Sequence, residues 1–148
     1  MTPASVKHAE SLNSNTLSVA LIGAEEFHRK PIAEALAGLH VSVVREFSTY
    51  PELDDVPRLL EADYDVIIIE LDSNPEHALD LVENICGNSS LTVMVYSAQI
   101  FPEMLVRCMR AGAREFLTPP ITPGTIAEAM VRAAVRRPAT RPVKKVGG

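Results

Sequence analysis

Apolar and polar residues along the chain follow two alternating patterns. Five short apolar runs have the composition of β-strands, and each precedes a segment in which apolar residues recur every three or four positions, as on one face of a helix. One run contains Val66-Ile67-Ile68-Ile69, a pattern typical of a strand buried on both faces of a parallel sheet. The predicted strands are residues 17–23, 40–47, 65–71, 90–98 and 113–118, and the predicted helices are residues 29–39, 53–62, 74–87, 102–112 and 122–137.

Prolines and glycines mark where the predicted helices begin and end. Pro31 and Pro57 are tolerated best in the first turn of a helix, and Pro75 is placed to start one. Gly87 and Gly112 follow apolar helical patterns and are predicted to be C-terminal caps. Five successive strand–helix pairs predict an α/β protein in which right-handed crossovers cover both faces of a parallel sheet. The predicted fold is therefore a flavodoxin-like, doubly wound (βα)5 fold.

Length and composition fit one domain. The chain has 148 residues, 47% of them apolar, and no apolar run approaches the roughly 20 residues of a membrane span. Residues 1–16 lack a signal-peptide pattern and are predicted to be a flexible lead-in, followed by a single domain over residues 17–137. Residues 138–148 are predicted to be a basic linker or tail rich in Pro and Gly. Cys86 and Cys108 lie in apolar patterns and are interpreted as reduced core thiols of a cytosolic protein.

Charge is unevenly distributed along the chain. The net charge is −5, yet the segment from residue 132 onward carries six basic and no acidic residues. The remainder therefore carries eight basic against 19 acidic residues. Because an acidic body repels nucleic acid over most of its surface, no direct nucleic-acid contact is expected.

Acidic and hydroxyl side chains follow the predicted strands at their carboxyl ends. Glu25 and Glu26 come after the first strand, Glu70 and Asp72 after the third, and Ser97 after the fourth. Open α/β sheets form their sites at this edge. Carboxylates there favour a cation site or a phosphoacceptor pocket. The alternative is that the acids only stabilise the positive ends of the following helices.

The order of these residues resembles a receiver domain of the CheY-like response-regulator family over residues 17–136. The most specific match is "RAGAREFLTPP", in which "AGA", an aromatic residue and a proline recur at receiver spacing. The resemblance implies a five-stranded sheet in the order 2-1-3-4-5. It also implies family roles for individual positions: the metal-binding acid pair at Ala24 and Glu25, the phosphoacceptor at Glu70, the hydroxyl at Ser97, the aromatic switch residue at Phe116, and the Lys-Pro pair at Pro119 and Pro120.

Three departures from the receiver pattern predict a degenerate pocket. Glu70 carries an extra methylene that displaces its carboxylate from in-line geometry, Ala24 lacks a metal-binding acid, and Pro119 lacks the ammonium that would bind phosphoryl oxygens. The chain is therefore predicted to be a pseudo-receiver rather than an enzyme, with Glu70 hydrogen-bonded to its neighbours. Arg29 and Lys30 are the nearest candidates in sequence for its counter-charge. No metal site or cofactor is expected beyond weak binding of a divalent cation, since no His or Cys pair has metal-ligand spacing.

Within receivers, the sequence is most similar to the atypical receiver that begins CpaE/TadZ-type pilus-assembly proteins. The similarity lies in "AREFLTPPITPGTIAEAM", in the degenerate acids and in the basic C-terminal segment. It implies a non-catalytic interaction and localisation module in Flp/Tad-type pilus assembly, cytoplasmic and polar in bacteria. It further implies a ParA/MinD-like ATPase domain after the linker.

Two other functions are compatible with this fold. The first is a phosphorylatable receiver in two-component signal transduction that uses Glu70 or Asp72 as acceptor. The second is a flavodoxin-like cofactor domain, which is disfavoured because the loop "GAEEFH" carries two carboxylates that would repel phosphate, and because the chain has no Trp.

Self-association is predicted through a face that receivers commonly use for dimers. It is made of the fourth helix, the fifth strand and the fifth helix. Opposite charges on it are able to pair across a two-fold axis, and the alternative is a solvated face. The charged residues of this predicted homodimer face are Arg107, Arg110, Arg114, Glu115, Glu128 and Arg132.

Overall fold

Strands and helices alternate along the chain in the computed structural model, which describes residues 17–39, 43–99 and 101–136. The predicted lead-in 1–16 and tail 138–148 lie outside the described residues, as do residues 40–42 at the start of the second predicted strand. No helix in the described part of the chain has the length and apolar composition needed to cross a membrane. The elements are β1 (Ser18–Ile22), α1 (Glu26–Ala37), β2 (Val43–Phe47), a 3-10 turn (Leu53–Asp55), α2 (Val56–Leu60), β3 (Val66–Glu70), α3 (Pro75–Asn88), β4 (Thr92–Tyr96), α4 (Pro102–Ala111), β5 (Glu115–Leu117) and α5 (Pro123–Arg136).

All five strands pair in parallel in the order β2-β1-β3-β4-β5. This confirms the predicted doubly wound fold and its strand order. β3 lies at the centre, and all five of its residues are buried. Ile67 and Ile69 belong to a core cluster with residues of α2, α3 and α4, whereas Ile68 belongs to a second cluster with residues of α1 and α5. The unbroken apolar run in the sequence is thus explained by a strand covered on both faces.

Proline and glycine positions define most helix ends as predicted. Pro57 and Pro75 lie in the first turns of α2 and α3, and Gly112 ends α4 with a left-handed φ of 119°. Two predictions were wrong. Pro31 lies inside α1, because the helix starts at Glu26, a turn earlier than expected, and Gly87 lies inside α3, which continues to Asn88.

The two cysteines are free thiols, as predicted. Cys108 on α4 is fully buried, and Cys86 on α3 is partly buried. Burial raises the pKa of the Cys108 thiol to about 11 and also raises that of Cys86, so both favour the neutral form. They act as core side chains of the cluster between the sheet and α3 and α4.

Candidate functional site

Glu70 occupies the end of the central strand, at the sheet edge where the carboxyl ends of the parallel strands meet. Its side chain is 0% exposed, which is unusual for a carboxylate unless partners compensate for the lost hydration. β3 places it there because the residues before it fill the two core clusters. The site is therefore organised around a buried acid.

The hydrogen-bond donors to the Glu70 carboxylate come from Ser73, three residues further along. The Ser73 backbone N–H donates to Oε2 at 2.7 Å, and the Ser73 hydroxyl donates to Oε1 at 2.7 Å. The Tyr50 hydroxyl donates to the backbone carbonyl of Glu70. Burial raises the pKa of Tyr50, and the negative charge of Glu70 raises it further, so the phenol remains a donor. All of these donors are neutral groups.

The chain directly after β1 approaches Glu70 closely at Gly23. A Cβ atom at position 23 would lie 2.9 Å from Glu70 Cβ, 2.9 Å from Glu70 Oε1 and 3.1 Å from Arg29 Cγ. Such distances are shorter than ordinary van der Waals contact. The missing side chain of Gly23 therefore makes room for the longer glutamate.

His28 approaches the buried carboxylate from α1. Its Nδ1 lies 3.2 Å from Glu70 Oε2, but the two atoms do not form a hydrogen bond, and Nδ1 is buried with no hydrogen-bond partner in the described part of the chain. The imidazole side chain as a whole is 17% exposed, and its ring lies against that of Phe27 with centroids 4.3 Å apart. Among the described residues, His28 is thus the one basic side chain within ion-pair distance of the Glu70 carboxylate.

Arg29 and Lys30, the counter-charges suggested by the sequence, have other positions. Arg29 is buried, and it donates from Nε to Glu46 Oε1 at 3.1 Å and from Nη1 to the Gly23 carbonyl at 2.6 Å. Lys30 is exposed. Among the described residues, no lysine or arginine forms an ion pair with Glu70.

Asp72 connects the loop after β3 to the loop after β4. Its Oδ1 accepts a hydrogen bond from the Ser97 hydroxyl at 2.7 Å, and its Oδ2 accepts one from the Ala98 backbone N–H at 2.7 Å. The Ser97 hydroxyl also lies 2.7 Å from the Gln99 carbonyl and accepts from the Gln99 N–H at 3.1 Å. A hydroxyl and an N–H that point at one carboxylate form a small anion-binding site, which Asp72 fills.

The other predicted site residues form no described hydrogen bond or ion pair with Glu70. Glu25 and Glu26 are exposed, and no hydrogen bond or ion pair of their side chains connects them with the rest of the described site. Phe116 is half-buried and packs against the cluster that contains Ile67. The last two positions, Pro119 and Pro120, are exposed and joined by a cis peptide bond.

From the sequence, His28 is the one histidine expected near the pocket, in a surface or capping role, but its approach to Glu70 was not predicted, and Ser73 and Tyr50 were missed altogether. The signal for His28 lies in the helical pattern: extended back by one turn, the buried face of Ile32 and Leu36 includes position 28. No local pattern identifies Ser73 or Tyr50, because their roles depend on loop geometry and on pairing between β2 and β1.

Charged residues on the predicted homodimer face pair within the chain. Arg107 donates to both carboxylate oxygens of Glu76 at 2.9 Å, a pairing that raises the pKa of Arg107 and lowers that of Glu76. Arg132 donates to Glu115 at 2.7 and 3.0 Å, and an Arg136 nitrogen lies 3.5 Å from the same carboxylate. The remaining charged members of the face, Arg110, Arg114 and Glu128, are exposed.

Solved structures similar to this chain are receiver-like domains. A Burkholderia thailandensis protein given the pilus-assembly name cpaE superposes with a TM-score of 0.70 at 23% identity, over 81% of this chain and 99% of that one. A pilus assembly-related protein from Burkholderia pseudomallei gives 0.71 at 17% identity, over 84% and 94%. The chemotaxis protein CheY4 from Vibrio cholerae gives 0.66 at 16% identity, over 80% and 98%. The chain therefore has the CheY-like receiver fold, which confirms the resemblance at the level of the fold.

Sequence comparison matches the chain to a segment of larger curated proteins. The chain is 30% identical over 82 residues to the sensory/regulatory protein RpfC of Xanthomonas campestris pv. campestris, a match that covers 52% of this chain and 11% of RpfC. The chain thus spans only a small part of the curated relatives that it matches. No protein-family model matches the chain.

Proposed function

We propose that this chain is a pseudo-receiver, a non-catalytic module that binds other proteins, in Flp/Tad-type pilus assembly. The proposal is supported by the receiver fold, by two structural neighbours with pilus-assembly names, and by a site whose residues are unsuited to phosphoryl transfer. The resemblance to CpaE/TadZ-type proteins further suggests a cytoplasmic, polar protein and a ParA/MinD-like ATPase domain as its partner.

The observation that carries this proposal is the state of Glu70. A nucleophilic carboxylate must present an oxygen to the phosphodonor in line with the leaving group. The Glu70 side chain is instead 0% exposed, with one oxygen bound to the Ser73 N–H and the other to the Ser73 hydroxyl. Asp72, the other candidate acceptor, has both of its carboxylate oxygens bound to the loop after β4.

The positive charges that phosphoryl transfer requires are also lacking at the matching positions. Pro119, at the lysine position of receivers, has no ammonium group, and Ala24 has no carboxylate to hold a magnesium ion. Transition-state charge on a transferring phosphoryl group is stabilised mainly by such cations. Without these cations, nothing at the matching positions would stabilise the transition state if the Glu70 carboxylate attacked a phosphodonor.

The contact between Asp72 and Ser97 suggests one fixed signalling state. A carboxylate from the chain itself occupies the hydroxyl and the N–H at the end of β4, so this loop keeps one arrangement without phosphorylation. In such a module, partner binding depends on the presence and concentration of the protein rather than on a kinase. The function is therefore constitutive docking.

Incubation of the full chain with Mg²⁺ and acetyl phosphate, followed by intact-mass measurement and amide NMR, tests this proposal. We expect no phosphoryl adduct and no shifts around Glu70, Ser97 and Phe116, with an active receiver treated in parallel as the positive control. Asp72→Asn and Glu70→Gln serve as matched variants. An adduct on the wild-type chain that disappears in either variant would identify the acceptor and exclude the pseudo-receiver function.

The predicted homodimer face carries apolar as well as charged residues. Val106 and Met109 on α4, and Val131 and Val135 on α5, are among the exposed large hydrophobic side chains of the described structure. We propose that these residues form the centre of a homodimer contact, with the charged residues at its rim.

A further inference from the structure

His28, Glu70 and Asp72 bring one ring nitrogen and two carboxylates together in the described structure. Each residue offers one potential ligand atom, and the three atoms lie within 4.8 Å of one another. They come from three separate places in the chain: the first turn of α1, the end of β3 and the loop that follows it. The fold, rather than a local sequence motif, assembles this cluster.

The magnesium ion that receivers bind does not fit these residues. Magnesium prefers six oxygen ligands in an octahedron and binds to carboxylates, phosphates and water. Here Ala24 offers no carboxylate, Glu25 is exposed, and the ring nitrogen of His28 is a potential metal ligand 3.2 Å from the Glu70 carboxylate. A mixed set of nitrogen and oxygen donors is typical of Zn²⁺, Co²⁺ or Ni²⁺.

The cluster also has an excess of negative charge over positive charge. Glu70 and Asp72 accept hydrogen bonds only from neutral groups, namely the backbone and hydroxyl of Ser73, the hydroxyl of Ser97 and the N–H of Ala98. In the described residues, no lysine or arginine pairs with either acid. A buried charge without an opposite charge is costly, so a cation bound between the two acids would stabilise the site.

The state of the His28 ring nitrogen is the second observation that favours a bound ion. Nδ1 is buried, has no hydrogen-bond partner in the described part of the chain, and lies 3.2 Å from Glu70 Oε2. An ion about 2.1 Å from both atoms would make an N–metal–O angle of about 100°, between the octahedral and tetrahedral values. The present separation of 3.2 Å therefore already matches one edge of a coordination shell.

The hydrogen bonds of the two carboxylates leave lone pairs for a metal. Each carboxylate has about four acceptor positions, and each of its oxygens carries one described hydrogen bond to a donor. Those bonds hold the two acids in place as hydrogen bonds do around established metal ligands. The donors from Ser73 and Ser97 would thus orient the ligands without competing for the ion.

We propose that His28 Nδ1, Glu70 and Asp72 form a binding site for a first-row transition ion such as Zn²⁺ or Co²⁺. The imidazole is neutral in this complex, with its proton on Nε2, and water completes the coordination shell. The ion links α1 to the loop after β3, and through Asp72 to the loop after β4. The pocket that binds magnesium in receivers thus has a different metal preference in this chain. This inference does not depend on which proteins the chain binds.

Titration of the metal-free full chain with CoCl₂ and with ZnCl₂ tests the site, with visible absorption of bound Co²⁺ and calorimetry as readouts. We expect one ion per chain at this site and little competition from MgCl₂. His28→Gln removes the nitrogen ligand, and we expect it to weaken binding at least about tenfold and to change the Co²⁺ spectrum. His77→Gln is the matched control, since the Nε2 of His77 lies 2.9 Å from the Pro51 carbonyl and outside the cluster.

Asp72→Asn is a second variant that keeps an oxygen for Ser97 but removes the charge, and it should also weaken binding. Far-UV circular dichroism establishes that each variant is folded before titration. Absence of Co²⁺ and Zn²⁺ binding to the wild-type chain would overturn the proposal. So would equal binding by the wild-type chain and His28→Gln, or magnesium that displaces Co²⁺ at equal concentration. None of these results depends on whether the chain accepts a phosphoryl group.

Discussion

At the scale of single residues, the site depends on the fit between a glutamate and the glycine opposite it. An aspartate at position 70 would leave space next to Gly23, whereas Glu70 fills that space and reaches Ser73. Such close packing makes the interior sensitive to one added carbon atom. Glu70 is thereby held in one position at the end of β3.

Gly23→Ala is expected to destabilise the protein by about 1–3 kcal/mol, because the new Cβ overlaps Glu70 and the surrounding core does not yield. Loss of unfolded-state entropy offsets only about 0.4–1 kcal/mol of this. Gly38→Ala is the matched control, since its Cβ would meet only the Ala35 carbonyl oxygen at 3.6 Å. Urea unfolding of both variants measures the difference. Equal stability of the two would show that the close contact at Gly23 does not constrain Glu70.

At the scale of elements, two glycines of neighbouring helices differ in whether a side chain could replace their hydrogen atom. Gly112 ends α4 at a φ of 119°, and a Cβ there would lie 2.7 Å from Cys86 Cβ and Sγ. Gly87 lies inside α3, and a Cβ there would meet no atom within 4 Å. The same substitution therefore has opposite consequences at the two positions.

Gly87→Ala should stabilise the protein by about 0.5–1 kcal/mol through helix propensity. Gly112→Ala should destabilise it by more than about 1 kcal/mol, because the left-handed backbone and the contact with Cys86 both oppose a side chain. Thermal unfolding of the two variants beside the wild-type chain gives the sign of each effect. A gain in melting temperature for Gly112→Ala would contradict the proposed cap.

The elements themselves were predictable because strand and helix periodicity is strong in this sequence, above all in β3. The start of α1 was not, since a proline at position 31 normally marks a first turn, while here the packing of Ile32 and Leu36 supports a longer helix. Because of that error, His28 was expected near the pocket but not in the additional turn that brings it to Glu70. The acids of the site were found from the sequence, but the link from Asp72 to Ser97 required the register of two strands.

At the scale of the whole molecule, the proposed homodimer depends more on apolar contact than on charge. Three of the six charged residues that define this face, Arg107, Glu115 and Arg132, already form ion pairs within the chain, which leaves half of its charges for a second copy. Val131 is 64% exposed and Val135 is 80% exposed on the same face of α5, one turn apart. Contiguous exposed apolar side chains are typical of interaction surfaces.

Replacement of both valines, Val131→Gln with Val135→Gln, should raise the dimer dissociation constant at least about tenfold, because burial of one valine contributes about 1.5 kcal/mol or more. Leu53→Gln is the control, since Leu53 is an exposed apolar residue (37% exposed) in the 3-10 turn before α2. Sedimentation velocity over a concentration series measures both variants. Dimerisation should change little between low and high salt, because exposed ion pairs contribute little and are screened. A wild-type chain that stays monomeric at every concentration, or a double variant that dimerises as well as the wild type, would exclude this surface.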